Sequence, residues 1–203
     1  MGAKWLVVAL LPLGLMLSAG CGGRDRTPEE SAASSSEATD DAAAKGGGVF
    51  RLGSLRFRVP ETWVMEEPQS SSFVRRLGQF RLPGPDGAAE LTVIQAGGTV
   101  EQNLERWYGQ FGLTRGQAEG AEEREIDVAG YRAVFVDIRG TYRPGPMMLR
   151  PGQKASNPNY RMLGAIVETP GQLTFFKAVG PDRTLQRHKE AFLEFLTGAT
   201  RQQ

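Results

Sequence analysis

The sequence predicts an α+β fold: an antiparallel β-sheet of about six to seven strands covered by two α-helices, an α/β/α sandwich. Three observations point there. Short runs alternate apolar and polar residues, as in Leu55-Arg56-Phe57-Arg58-Val59, which is the period of a strand with one buried face. Neighbouring runs are separated by turn residues and so pair as hairpins. Two longer stretches carry apolar residues at helical spacing, and amphipathic helices of this kind cover the faces of such a sheet.

The elements follow in order. Leu55 to Val59 is the first strand, ended by Pro60. Phe73 to Leu82 and Ala89 to Gln95 form a hairpin across the turn PGPDG at 83–87, in which Asp86 is a turn residue. Gly97-Gly98 breaks the sheet. Thr99 with Gln102 three positions on makes a capping box, and Val100, Leu104, Trp107, Tyr108 and Phe111 form the apolar stripe of the first helix, closed by Gly112. An aromatic stripe at this spacing reads as core rather than as a ligand box. Arg124 to Val128 and Tyr131 to Tyr142 form a second hairpin over Ala129-Gly130, and Asn159 to Glu168 with Leu173 to Val179 form a third over Pro170-Gly171. Gly180-Pro181 opens the final helix, where the missing proline N–H costs nothing. Leu185, His188, Phe192, Phe195 and Leu196 are its stripe.

Three regions result: a signal segment over 1–20, a cysteine and flexible tether over 21–48, and one globular domain over 49–203. Lys4 precedes fifteen uncharged residues, Trp5 to Ala19, which close in Ser18, Ala19 and Gly20. That is a secretory signal pattern. The run is short of the roughly twenty apolar residues that span a bilayer, so an uncleaved anchor is the less favoured reading. From Gly22 to Gly48 no aromatic or large aliphatic residue occurs, and the segment carries three basic and six acidic residues. With nothing to bury, it cannot offset the entropy of ordering, and as a flexible chain it spans about 30 Å on average. The domain has 20 basic and 17 acidic residues, a balance too mild to imply nucleic acid. Its 155 residues suffice for one core.

Cys21 is the only cysteine, so neither an intramolecular disulfide nor a zinc-thiolate site is available. Ala19-Gly20-Cys21 resembles the lipobox of bacterial lipoproteins, with Ser18 standing where that family usually has leucine. The resemblance implies cleavage before Cys21, a diacylglycerol on its sulfur and a fatty acid such as palmitate on its amino group. Ordinary signal-peptidase cleavage, leaving a free thiol, is the alternative. Because each buried CH₂ contributes about 0.8 kcal/mol, two or three chains anchor a protein stably. Gly22 rather than aspartate after the cysteine implies, by the same resemblance, the outer membrane facing the periplasm in a two-membrane bacterium.

The stretches FRVPETW at 57–63, GTY at 140–142, YRMLGAIVE at 160–168 and FFKAVGP at 175–181, together with the order of elements, resemble uncharacterised bacterial lipoproteins whose domain has the fold of the photosystem protein PsbP and the Ran-binding factor Mog. Members of known role act mostly in binding or assembly, so the resemblance implies a domain without catalysis. Fold alone does not fix function.

The residues offer little chemistry of their own. His188 is the only histidine and lies on an apolar stripe, where packing is the usual role. No ligand cluster suggests a metal, no phosphate-binding fingerprint surrounds Gly97-Gly98, and no cofactor is expected. Glu122 and Glu123 are adjacent, but neighbours in a strand face opposite ways, and the run reads as solvated. The most distinctive segment is RPGPMMLRPGQKASNPN at 143–159, since loops of this length in compact domains are uncommon. No acidic residue occurs from Ile138 to Val167, while Arg139, Arg143, Arg150, Lys154 and Arg161 are basic. Met147 and Met148 offer adaptable apolar contact, and Arg143, Arg150 and Lys154 offer cations. These five loop residues are the candidate partner-contact surface; the plainer alternative is an insertion folded back on the sheet.

The sequence thus predicts an exported, lipid-anchored envelope protein with a non-catalytic binding or assembly domain. Its expected partners are the membrane, through Cys21, and an envelope protein or anionic surface. A periplasmic carrier or sensor of a small apolar or anionic ligand is the alternative, and a hydrolase using His188 with a carboxylate is the third reading.

Overall fold

In the computed structural model the described residues are 46–70, 74–145 and 155–202. Ten strands and two helices are built from them: β1 Val49–Leu52, β2 Leu55–Arg58, β3 Val64–Glu66, β4 Arg76–Leu82, β5 Ala89–Ala96, α1 Val100–Gly109, β6 Glu122–Val128, β7 Tyr131–Tyr142, β8 Asn157–Thr169, β9 Gln172–Pro181, α2 Asp182–Thr197 and β10 Thr200–Arg201. Seven strands form one antiparallel sheet in the order β3-β4-β5-β9-β8-β7-β6, and β1-β2-β10 form a smaller one. The predicted class, an antiparallel sheet between two helices, is the one observed.

All three hairpins form. Val128 pairs with Tyr131 across Ala129-Gly130, whose φ values of 52° and 84° are both positive, the backbone that lets a two-residue loop follow the strand twist. β1, β3 and β10 are absent from the sequence prediction: strands of two to four residues are too short to show a period. β4 begins at Arg76 rather than Phe73, which lies outside the described residues. Pro181 ends β9 and precedes α2 instead of occupying its first turn.

Alternation along the strands divides the core in two. On one face, Phe176 and Ala178 of β9 join Phe57, Trp63, Phe80, Phe192 and Phe195 under α2. On the other, Phe175 joins Val134, Val136, Ile138, Met162 and Ile166 under the Leu104, Trp107 and Tyr108 stripe of α1. The capping box of α1 is present: Gln102 N donates to Thr99 Oγ1 at 3.2 Å, and Thr99 N donates to Gln102 Oε1 at 3.1 Å.

Gly164 of β8 lies directly beneath α1. A Cβ there would stand 2.4 Å from Trp107 Cζ3 and 3.1 Å from Val136 Cγ2, so the indole can lie on the sheet only because no side chain intervenes. Gly164→Ala is expected to destabilise the domain by about 1–3 kcal/mol through overpacking, measured as a lowered urea midpoint.

α2 is held to the sheet by charge as well as by packing. Buried Arg161 donates from Nη1 to Asp137 Oδ2 at 3.2 Å and from Nε to Asp182 Oδ1 at 2.6 Å. Lys189 of α2 reaches the same Asp137 oxygen at 2.8 Å and also pairs with Glu122. One chain of charges thereby ties β6, β7, β8 and α2 together.

Candidate functional site

His188 lies on the α2 stripe, and both of its ring nitrogens are occupied. Trp63 Nε1 donates to Nδ1 at 3.1 Å, so the proton is on Nε2, which donates to the Pro83 carbonyl at 2.9 Å. The ring therefore joins the approach to β3, the β4–β5 turn and α2. No carboxylate contacts it among the described residues, and the convergence a His188 hydrolase would need is missing there. Glu122 and Glu123 do face opposite ways, and the run is largely exposed, with both carboxylates ion-paired. Glu122 pairs with Lys189 and Arg124, while Glu123 accepts from Arg115 and Tyr108. Among the described residues no three of His, Cys, Asp or Glu group as metal ligands, and no helix is long and apolar enough to cross a membrane.

The chemistry gathers instead on the α1 face of the sheet. Ten residues make α1 about 15 Å long, whereas β8, with thirteen, runs about 40 Å. The helix begins beside Ala96 and ends near the middle of β9, so among the described residues no helix lies over the far end of this face. There a cleft of about 260 Å³ opens, walled by Arg76, Glu90, Tyr142, Tyr160, Val179 and Lys177, with Pro144 and Asn157 among its remaining lining residues.

Strand register builds this cleft from three of the distinctive sequence stretches. Lys177 of FFKAVGP pairs across the sheet with Gly164 of YRMLGAIVE, so Trp107, lying over Gly164, comes beside the lysine. Tyr142 of GTY lies near-parallel to Tyr160, with ring centroids 6.4 Å apart and planes 3° from parallel. Lys177 Nζ is 5.9 Å from the Trp107 ring centroid and 5.4 Å from that of Tyr142, within cation–π range. It donates to Gln110 Oε1, just past the end of α1, at 2.5 Å.

The electrostatics are uneven. Arg76 is paired with Glu90 and donates to Gln79 at 2.9 Å. Lys177 has no carboxylate within ion-pair distance among the described residues. Burial, reinforced by the positive charge of Arg106, brings its ammonium down to about 7. Burial and then the charge on Glu90 push the Tyr142 hydroxyl up to about 12, so it remains a proton donor.

The predicted contact residues divide. Arg143 is exposed, and its backbone N–H donates to the Gln110 carbonyl at 2.7 Å, next to the cleft. Met147, Met148, Arg150 and Lys154, like Cys21, lie outside the described residues. Sequence reasoning missed Lys177. Its signal is a lone charge in the apolar run LTFFKAVGP, the only ionisable side chain between Glu168 and Asp182.

No family model matches the sequence, and no curated protein matches it. Solved structures similar to the chain include the following two. Cyanobacterial PsbP (CyanoP) from Synechocystis sp. PCC 6803 is 16% identical, with 77% of this chain and 93% of that one covered at a TM-score of 0.46. PA94 of Pseudomonas aeruginosa, a protein of unknown function, is 15% identical, with 72% and 91% covered at a TM-score of 0.36. Both overlays are loose, and the layered fold rests on the chain's own strand pairing.

Proposed function

We propose that this protein is a lipid-anchored cell-envelope lipoprotein whose domain is a non-catalytic binding or assembly module, and that it binds at the end of the α1 face that lies beyond the helix. One observation supports the binding reading most: α1 is too short for the strands beneath it and leaves a cleft lined by Lys177, Arg76 and two tyrosines. Pro144 and Asn157, which bracket the Met- and Arg-containing connection, also line it. An envelope partner engaging that connection would reach the cleft as well.

The anchor is proposed from the Ala19-Gly20-Cys21 resemblance. Membrane-extracted protein is expected to have an intact mass corresponding to a chain starting at Cys21 with added acyl mass, and Cys21→Ser to release it from the membrane fraction. A chain starting at Cys21 without acyl mass would sink the lipoprotein reading. The second reading, a carrier or sensor of a small ligand, is favoured by the cleft itself. Native mass spectrometry after incubation with envelope extract separates the two: a retained small mass supports the carrier, and an empty domain with a stoichiometric protein partner supports the adaptor.

A further inference from the structure

We infer that the cleft over Lys177 is a carboxylate-binding site, in which the Lys177 ammonium takes the anion and Tyr142 and Tyr160 flank the body of the ligand. This deepens the small-ligand form of the binding reading above and rests on it. The geometry carries the inference. Lys177 is a partly buried cation whose polar partner is the uncharged Gln110, with two aromatic rings beside it. A cation drawn out of water without a counterion is costly, and an anion in the cleft would remove that cost. The neighbouring cation Arg76 is paired with Glu90, whereas Lys177 has no carboxylate within ion-pair distance among the described residues and has the positive charge of Arg106 nearby. The volume, about 260 Å³, is at the small end for ligand clefts and suits a small organic acid or one chain terminus better than a large ligand.

Binding would be coupled to a proton. The groups facing Lys177 are Arg106 from α1, Glu90 from β5, Arg76 from β4, Tyr142 from β7 and Tyr160 from β8. A bound carboxylate stabilises the charged amine and raises its pKa from about 7. Above that value binding must therefore take up a proton, and affinity falls as pH rises, by up to about tenfold per unit.

The test is calorimetric titration of the full-length protein in nonionic detergent with hexanoate, benzoate and the neutral analogue hexanol, at pH 6.5 and 8.5 and in two buffers of different ionisation enthalpy. A second arm uses pentaalanine with a free or an amidated C-terminus. The expected result is binding of the acids and not of hexanol, at least tenfold weaker at pH 8.5, with proton uptake. Binding is expected to be lost in Lys177→Met, which removes a partly buried charge and should fold at least as well. If only the free peptide terminus binds, the carboxylate site stands and its source is a polypeptide end. Equal binding of hexanol, unchanged binding in Lys177→Met, or no binding by either arm at 10 mM would overturn the inference. The broader binding reading would outlive that failure if a protein partner still crosslinked at the cleft, and would fall with it if none did.

Discussion

Asp137→Ala is expected to cost the domain about 3–5 kcal/mol, the penalty for removing one partner from a buried ion pair. Asp137 is itself buried and receives both Arg161 and Lys189 on the same oxygen. Without it, Arg161 keeps only Asp182, at the edge of α2, and Lys189 keeps only Glu122. A charge that remains buried with fewer partners is the expensive outcome, worse than an apolar replacement of the whole set. The check is urea denaturation followed by circular dichroism. The same network sets an acid limit. The Lys189 hydrogen bond, with the positive charges of Lys189 and Arg124, holds the Glu122 carboxyl below its ordinary value. A depressed folded pKa gives stability that is fully present above the ordinary carboxylate range near 4.5 and is lost as pH falls through the folded value. Asp137→Ala should therefore unfold at a higher pH than the parent in an acid titration.

His188→Ala is expected to cost about 3 kcal/mol, combining a cavity under α2 with two stranded polar groups. Trp63 is fully buried, so its indole N–H cannot turn to water when the acceptor is gone. The Pro83 carbonyl loses its donor too. A double-mutant cycle isolates the hydrogen bond: Trp63→Phe should be less harmful in the His188→Ala background than in the parent, with a coupling of about 1 kcal/mol. Additive losses would show that the imidazole acts through packing alone.

Periodic features were legible in the sequence, and juxtapositions were not. The hairpins over Ala129-Gly130 and Pro170-Gly171, the Thr99–Gln102 capping box and the Trp107-Tyr108 stripe are local, and the chain writes them within a dozen residues. The position of His188 on a packed stripe is local and legible, but its bond to Trp63, 125 residues earlier, depends on tertiary contact. Lys177 escaped for the same reason. Its setting arises because β8 and β9 pair in the register that puts Gly164 opposite it and because α1 stops at that point. The cationic loop drew attention through composition, while the cleft beside its ends is made by strand residues that singly look ordinary.

The central claim is that binding occurs at the end of the α1 face that lies beyond the helix. The direct measurement is site-specific photocrosslinking in cells, with p-benzoylphenylalanine replacing Tyr160 in the cleft or, as a control on the opposite side of the sheet, the exposed Arg187 of α2. The account predicts a discrete adduct from position 160, weakened by Lys177→Met, and none from position 187. An adduct from position 187 alone, or none from either, would contradict it.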